Sequence, residues 1–243
     1  MMTTPIFKHI EAIVQDVPGW TPVDQLYTLF NLLYASDMPG DVIEIGSWCG
    51  RATVVLASAA RLVGNTRVFA IDLFPERGDW KQNPDGTFSL VVDIGGKIYN
   101  AFKSHTLWAE PYYKDVVPLY AKHNGILDIF NEVMHRYQLQ DIVRPQRGDS
   151  DFCQSLSKQN VRCKLAFIDG DHDYAATRRD IKNVELVLAE GGWICFDDAY
   201  SYYDGVIQAI EELIVQNPNY ELQQQMTRKF FVARRKYAQH GAF

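Results

Sequence analysis

Short apolar runs alternate along the chain with segments whose apolar residues recur at helical spacing, and this alternation restricts the fold more than any other feature. Strand-like runs occupy 42–45, 66–72, 141–148, 163–169 and 191–197, and two more lie within 220–237. Helical spacing marks 22–36, 50–62, 126–137, 174–188 and 204–216. Strands that alternate with helices form a mostly parallel sheet covered on both faces. We therefore predict an α/β, doubly wound, mostly parallel seven-stranded sheet with a C-terminal antiparallel hairpin.

The ends of the predicted strands carry acids and glycines. The first strand leads into the loop 44–50, and the next four end at or beside Asp72, Asp149, Asp169 and Asp197. In open α/β sheets, ligands bind outside the carboxyl ends of the strands, which share one edge. Because five strand ends deliver acids or glycines there, the sequence predicts a ligand site at that edge.

The segment between the second and third strands is too long for an ordinary crossover. A crossover with its helix needs roughly 20 to 30 residues, and 126–137 supplies that helix. Residues 74–124 remain as an aromatic-rich insertion in a single domain, 1–243. Two interpretations stay open, a small satellite core and a lid or substrate wall beside the site.

Composition and net charge limit the classes of partner and the cellular location that we expect for this chain. The net charge of −6 argues against a general nucleic-acid surface. No apolar run approaches the length of a membrane span, and the N-terminal residues lack the apolar centre of a secretory signal. The four cysteines form no CxxC or zinc spacing, so we expect reduced thiols in a cytoplasmic protein. A homodimer is the default expectation for the assembly.

The loop after the first strand reads Glu44-Ile-Gly46-Ser47-Trp48-Cys-Gly50. A glycine-rich turn before a helix lets a ligand approach the backbone, and the helix start favours anionic groups. The spacing is not GxGxxG and the chain has no GK[ST], so a dinucleotide fingerprint and a P-loop are both excluded. Glu44 suits a ligand that carries an ammonium group. The alternative is an ordinary tight turn.

Two further strand ends suit a nucleoside. Asp72 is placed to accept hydrogen bonds from a ribose diol, as the acid about 20 residues beyond a nucleotide loop does. Asp149 and Ser150 end the third strand, where they could contact the edge of an adenine. The alternative for both sites is a capped turn.

The fourth and fifth strands end in clustered acids. Asp169, Asp171 and Asp173 follow the fourth strand, and Asp197 and Asp198 follow the fifth. Like charges in close proximity are costly unless a cation holds them. The sequence therefore predicts a cation at this edge, while Asp173 suits the cap of the helix that begins at 174.

Taken together, these motifs resemble a known family. E-x-G-x-x-x-G, an acid ending strand two, G-D-S after strand three, I-D-G-D-H-x-Y after strand four and D-D after strand five are similar to the class I S-adenosylmethionine-dependent methyltransferases. The resemblance is greatest to the metal-dependent O-methyltransferases of the catechol and macrocin groups. It covers roughly 40–215 without the insertion, and it implies a Rossmann-like methyltransferase fold.

The resemblance implies where ligands bind. The methionine part of S-adenosylmethionine would lie over the glycine loop, with the ribose on the acid of strand two. A divalent cation, Mg²⁺ or else Ca²⁺ or Mn²⁺, would be held by Asp169, Asp197 and Asp198, whose oxygen ligands suit hard ions. The implied cofactor-binding residues are Glu44, Gly46, Ser47, Trp48, Gly50, Asp72, Asp149, Ser150, Asp169 and His172.

The catalytic base has two candidates, Asp171 and His172. Macrocin-type enzymes use an acid at the position of Asp171, whereas catechol-type enzymes carry a lysine where His172 stands. Histidine is the residue type that titrates near neutrality, so His172 suits a base or a cofactor contact; Asp171 is slightly favoured. Trp48 has two interpretations, a cation–π partner for the sulfonium and a packing residue.

We predict methyl transfer to a hydroxyl of a small molecule, of sugar or natural-product type, assisted by a divalent metal. Asp198 stands where catechol-type enzymes have asparagine, which favours the macrocin-like branch. The alternatives are a metal-independent N- or C-methyltransferase, a nucleotide-binding oxidoreductase, which the absence of GxGxxG argues against, and a member without enzymatic activity.

Overall fold

The structure is a computed structural model that describes residues 6–238. The strands are β1 (Asp41–Ile45), β2 (Val68–Asp72), β3 (Trp80–Gln82), β4 (Phe88–Ile94), β5 (Lys97–Ala101), β6 (Val143–Arg147), β7 (Cys163–Ile168), β8 (Leu188–Phe196), β9 (Tyr220–Thr227) and β10 (Phe230–Arg235). The helices are α1 (Ile6–Asp16), α2 (Val23–Tyr34), α3 (Arg51–Val63), α4 (Ala109–Pro111), α5 (Ile126–Arg136), α6 (Phe152–Lys158), α7 (Tyr174–Glu185) and α8 (Asp204–Ile210).

Seven strands form one sheet in the order β6-β2-β1-β7-β8-β10-β9. The first five of these run parallel, and β10 pairs antiparallel with both β8 and β9. After β1 the chain adds β2 and β6 on one side of β1, and it then crosses over to add β7 on the other side. The strands β1 and β7 therefore flank a topological switch point. The predicted fold class is confirmed, including the C-terminal antiparallel hairpin.

The central strand β1 explains why the sheet is covered on both faces. All five of its residues are buried, as expected for a parallel strand between two helical layers. Val42 joins one core with residues of α1, α2, α3 and α5, whereas Ile43 and Ile45 join a second core with residues of α6, α7 and α8. Alternation along the strand therefore assigns each side chain to one layer.

Backbone hydrogen bonds fix the strand ends at one edge. The N–H of Gly46 donates to the carbonyl of Ile71 (2.8 Å), and the N–H of Asp169 donates to the carbonyl of Ile45 (2.8 Å). The N–H of Asp197 continues the series by donating to Ile168 (3.0 Å). The residues that follow β1, β7 and β8 are therefore neighbours.

The insertion at 74–124 forms a second, antiparallel sheet in the order β3-β4-β5, followed by short helical turns. Phe88, Leu90 and Val92 of β4 point inward at every second position, which is strand periodicity. All three are part of the core that holds α1, α2, α3 and α5. The insertion therefore packs on the main core rather than around a core of its own.

Some element boundaries differ from the sequence prediction. The helix predicted over 174–188 ends at Glu185, because the chain has joined the sheet by Val187, whose carbonyl accepts from the N–H of Cys163 (2.9 Å). The helix predicted over 204–216 is α8 followed by a π-helical turn over Glu211–Val215. The short helices α1 and α6 were not predicted. Within 6–238, no helix combines the length and apolar character that a bilayer crossing requires.

Candidate active site at the carboxyl edge of the sheet

The glycine loop after β1 makes close contact with the end of β7. Gly46 has a φ of +88°, and a Cβ built on it would lie 1.8 Å from the carbonyl oxygen of Asp169. Gly50 has a φ of +94°, and a Cβ there would lie 2.7 Å from Cε of Met134. Gly46 is therefore required by the packing of the backbone itself, whereas at Gly50 the positive φ is the stronger reason, because Cε of Met134 ends a flexible side chain.

Asp72 holds the glycine loop in place. The N–H of Trp48 donates to Oδ2 of Asp72 at 3.0 Å, and the N–H of Phe74 donates to Oδ1 at 2.5 Å. Burial raises the pKa of Asp72, although these two hydrogen bonds favour its charged form. Each carboxylate oxygen accepts one backbone N–H and keeps further lone-pair capacity for a ligand.

Trp48 lies in a row of three indoles. Its backbone has a φ of +47°, a left-handed conformation that is uncommon outside glycine. Its ring stacks on that of Trp20 at 5.5 Å and meets that of Trp80 edge-on at 6.4 Å. These contacts support the packing interpretation of Trp48, and they leave the cation–π interpretation as a prediction.

Two polar side chains of the loop 44–50 are buried. Glu44 is 1% exposed and accepts a hydrogen bond from the hydroxyl of Thr53. Burial raises the pKa of Glu44 to about 7, so its charge changes near neutral pH. Ser47 is buried, and its hydroxyl has no hydrogen-bond partner among the described residues. A buried hydroxyl without a partner has hydrogen-bonding capacity available to a ligand.

The side chain of Ser150, which follows β6 and was predicted to contact an adenine, is bonded to other residues of the protein. Ser150 is fully buried; its hydroxyl donates to Asp180 (2.6 Å) and accepts from Asn183 (3.0 Å). A contact from Ser150 to a ligand would therefore come from its backbone. The carboxylate of Asp149 lies 3.7 Å from the ammonium of Lys97 and 3.6 Å from the guanidinium of Arg179.

The acid cluster beyond β7 and β8 has a composition different from the predicted one. Potential ligand atoms of Asp169, His172 and Asp198 all lie within 4.8 Å of one another. The distance from Nε2 of His172 to Oδ2 of Asp198 is 3.1 Å. The structure thus brings together two of the three acids predicted for the metal site, and an imidazole accompanies them.

Asp197 lies beside this cluster but is engaged elsewhere. Its Oδ1 accepts from Nε2 of Gln25 and from the N–H of Asp198, both at 2.7 Å. Its Oδ2 lies 3.1 Å from Nζ of Lys229. The neighbour Asp198 has a φ of +54°; Asp197 meets Gln25 and Asp198 meets His172, while both carboxylates share Lys229.

Lys229 is a cation at the acid cluster that the sequence reasoning missed. It lies in the turn between β9 and β10, and its Nζ is 3.0 Å from Oδ1 of Asp198 as well as 3.1 Å from Asp197. Burial raises the pKa values of Asp169 and Asp197, and neighbouring carboxylates raise them further. Burial also acts to raise the pKa of Asp198, but hydrogen bonds and charges from His172 and Lys229 outweigh it and lower that pKa.

The two base candidates have different surroundings. Burial raises the pKa of Asp171, and its Oδ1 accepts the N–H of His172 at 3.0 Å. The ring of His172 lies 4.1 Å from that of Tyr203, which meets His105 of the insertion edge-on at 5.0 Å. Asp173 accepts from the N–H of Ala176 (2.7 Å) and caps α7, as predicted.

The N-terminal segment covers the same edge, which the sequence did not indicate. Arg51, the first residue of α3, donates to the carbonyls of Val17 (2.8 Å), Thr21 (3.2 Å) and Val14 (3.2 Å). The hydroxyl of Thr21 lies 3.5 Å from Oδ2 of Asp169. Residues 14–25 thus contact both the start of α3 and the acids beyond β7 and β8.

Comparison with known proteins gives a family match and a set of similar folds. A family described as a methyltransferase domain matches residues 43–199. The O-methyltransferase NovP superposes with a TM-score of 0.60 at 17% identity, covering 89% of this chain and 81% of NovP. An O-methyltransferase from Bacillus cereus, solved with S-adenosylhomocysteine, gives 0.55 at 17% identity over 97% of this chain and 93% of its own. TomG from Streptomyces achromogenes, solved with S-adenosylmethionine, gives 0.56 at 12% identity over 97% and 91%. At such identities the superpositions establish the shared fold.

Proposed function

The chain belongs to the family of methyltransferase domains, and from this premise we propose that it transfers the methyl group of S-adenosylmethionine to a hydroxyl oxygen of a small molecule. One observation carries the proposal. The glycine loop, the acid of β2 and the acid–imidazole cluster share one edge of the sheet, with Gly46 in backbone contact with Asp169. A methyl donor over the loop would thus lie beside the cluster where an acceptor could bind.

The cofactor would be held by residues on both sides of the switch point. Asp72 would accept from the ribose hydroxyls with the lone pairs that Trp48 and Phe74 leave open. Ser47 and the start of α3 would meet the methionine carboxylate, since helix starts favour anions. Glu44 would favour the ammonium group when it is charged. The solved relatives that carry S-adenosylmethionine or S-adenosylhomocysteine support this choice of cofactor.

A divalent cation fits the donor set of this edge. Asp169, His172 and Asp198 offer two carboxylates and an imidazole within 4.8 Å of one another, a set that suits Mn²⁺ as well as Mg²⁺. Asp197, predicted from sequence as a ligand, would instead orient Asp198 and bind Gln25. When bound, the ion would lower the pKa of the acceptor hydroxyl and hold its oxygen.

The transfer itself needs a base and an in-line methyl group. Since His172 belongs to the donor set, we assign the base to Asp171. Its carboxylate would take the hydroxyl proton as the oxygen forms a bond to the methyl carbon. The carbon–sulfur bond breaks at the same time and leaves neutral S-adenosylhomocysteine. Burial raises the pKa of Asp171, and a higher pKa makes a carboxylate a stronger base.

The insertion would form one wall of the acceptor site. The rings of His105, Tyr203 and His172 lie next to one another, and Tyr202 continues the row at 4.2 Å from Tyr203. Tyr202 is 77% exposed, so its ring is accessible from solvent. Aromatic faces of this kind stack on planar rings or on the apolar faces of sugars. This supports an acceptor of sugar or natural-product type.

One observation favours a second candidate, methyl transfer without a metal. The ammonium of Lys229 already neutralises part of the acid cluster. In that case the acids would bind the acceptor or the lysine alone, and transfer to nitrogen or carbon is also compatible with the fold.

Calorimetric titration with S-adenosylhomocysteine tests the proposal. We expect binding by the wild type and strong weakening by Asp72→Ala, whereas Asp37→Asn, an exposed acid before β1, should bind like the wild type. Protein free of S-adenosylhomocysteine is then given S-adenosylmethionine and a panel of hydroxylated and amine acceptors, with formation of S-adenosylhomocysteine as the readout. Absence of cofactor binding would overturn the proposal, and turnover only with amines would favour the second candidate.

A further inference from the structure

The tip of the C-terminal hairpin places one lysine against the acid cluster. Lys229 follows β9 and precedes β10, and its side chain is 25% exposed. Its Nζ lies 3.1 Å from Oδ2 of Asp197 and 3.0 Å from Oδ1 of Asp198. Both carboxylates are buried, so this ammonium is a charge partner in a region of poor solvent screening.

The lysine is charged in this setting. A lysine side chain is ordinarily charged at neutral pH, and Lys229 has carboxylate oxygens of Asp197 and Asp198 within 3.1 Å of its Nζ. Nε2 of His172 lies 3.1 Å from Oδ2 of Asp198, whereas Lys229 contacts Oδ1 of Asp198 and also Asp197. Lys229 is therefore the permanent cation of the group.

The position of Lys229 opposes a divalent ion. An ion held by Asp169, His172 and Asp198 would share Asp198 with the ammonium on its other oxygen. Two positive charges on one carboxylate repel each other, and this repulsion is strong where the local dielectric constant is low. Either the ion binds weakly or the hairpin tip moves away and leaves the acids to the ion.

We propose that Lys229 is a built-in counter-cation that competes with divalent metal for Asp198 and sets the metal affinity of this site. The inference rests on the proposed function, because it concerns the metal site named there. It adds a residue that controls the metal affinity without being a metal ligand. It explains why three acids can remain together without an ion, since a buried carboxylate needs a compensating charge. The lysine occupies the acids until metal replaces it.

Direct binding of Mn²⁺, followed through the electron paramagnetic resonance of the free ion, tests this proposal. We expect Lys229→Met to bind Mn²⁺ at least ten times more tightly than the wild type. Lys229→Arg keeps the charge and should stay within a factor of about three, and Lys236→Met, an exposed lysine beyond β10, should match the wild type. Equal affinity of the wild type and Lys229→Met would overturn the proposal, as would the absence of binding by Lys229→Met.

Lys229→Met leaves buried acids without their charge partner and could therefore fail to fold. A second comparison, in which the charges stay balanced, keeps the proposal testable in that case. Asp197→Asn with Lys229→Met removes one charge of each sign, and it should bind Mn²⁺ at least ten times more tightly than Asp197→Asn alone. Equal affinities in this pair would also overturn the proposal. Mn²⁺ should raise the Tm of the tighter-binding variant more than that of its parent.

Cofactor binding separates this inference from the proposed function. S-adenosylhomocysteine is titrated into the same proteins without Mn²⁺. If the cofactor product does not bind, the proposed function fails, while the comparison of Mn²⁺ affinities still decides the role of Lys229. If it binds and Mn²⁺ affinity is unaffected by the lysine, only the present inference fails.

Discussion

Gly46 and Asp169 meet so closely that a Cβ on Gly46 would lie 1.8 Å from the carbonyl oxygen of Asp169. The loop that follows β1 and the acids that follow β7 are therefore one packed unit. A shift of one backbone is transmitted to the other, because neither side of this contact is a flexible side chain. The positions assigned to cofactor and acceptor are coupled through this single contact.

Gly46→Ala should lower the free energy of unfolding by more than about 3 kcal/mol, because it adds a backbone clash to an unfavourable φ. Gly86→Ala is the matched control, since Gly86 has a φ of +83° but nothing within 4 Å of a built Cβ. It should cost only about 1 kcal/mol. Urea unfolding measures both, and equal losses would mean that the contact with Asp169 is easily relieved.

Asp72→Asn should weaken S-adenosylhomocysteine binding by about ten- to a hundredfold, because a charged acceptor for ribose hydroxyls becomes a neutral one. The amide oxygen can accept only one of the two N–H groups, that of Trp48 or that of Phe74, so thermal unfolding has to show that the variant is folded under the conditions of the titration. Asp37→Asn serves as the control with the same chemical change. Calorimetry gives the affinities, and an unchanged Kd in Asp72→Asn would remove this residue from the cofactor site.

Glu44 gives a pH-dependent prediction for stability. Its folded pKa of about 7 lies above the unfolded value, so the folded state holds more protons between about pH 4 and 7. The contribution of Glu44 is fully present below the unfolded pKa and is lost as pH rises through 7. Glu44→Gln should remove this loss, worth roughly 3–4 kcal/mol.

The measurement is urea unfolding at several values between pH 4 and 8. The difference in stability between Glu44→Gln and the wild type should shift in favour of the variant as the pH rises through that range. Glu110→Gln, an exposed glutamate of α4, should show no such trend. If the free energies of unfolding of Glu44→Gln and the wild type changed equally with pH, this would contradict the raised pKa of Glu44.

Arg51 gives a prediction about the N-terminal cover. Arg51→Met removes donors from three backbone carbonyls, at Val14, Val17 and Thr21. Amide hydrogen exchange in 14–25 should become at least ten times faster, since this segment loses its main polar attachment to α3. Arg61→Met, on the exposed end of the same helix, should leave exchange in 14–25 unchanged. Slow exchange in Arg51→Met would show that apolar packing alone holds the segment.

The sheet and its ligand edge could be predicted because their signals are local. Apolar runs fix the strands, and the acids that end them, such as Asp72 and Asp169, must lie at one edge of a parallel sheet. The three-stranded sheet of the insertion also had a readable signal, since Phe88, Leu90 and Val92 alternate with less buried residues. The abundance of aromatic residues in 74–124 makes this alternation less distinct in the sequence than that of the main sheet.

The site residues that could not be predicted from the sequence come from distant positions in the chain. Gln25 bonds to Asp197 across most of the chain, and Lys229 comes from the last hairpin. Nothing local to either residue marks it. That Asp198 rather than Asp197 lies with Asp169 and His172 also depends on backbone geometry, because the adjacent residues Asp197 and Asp198 direct their carboxylates differently.

The adjacent acids Asp197 and Asp198 allow the metal site to be tested with one chemical change at two neighbouring positions. Asp198→Asn should weaken Mn²⁺ binding more than tenfold, because it removes a carboxylate that lies within 4.8 Å of the other candidate ligand atoms. Asp197→Asn should change the affinity by less than a factor of three, since that carboxylate is directed to Gln25 and Lys229. Both variants remove one negative charge, so long-range electrostatics changes similarly in each. Electron paramagnetic resonance of free Mn²⁺ gives the two affinities, and equal weakening would restore the ligand set that the sequence alone predicts, Asp169, Asp197 and Asp198.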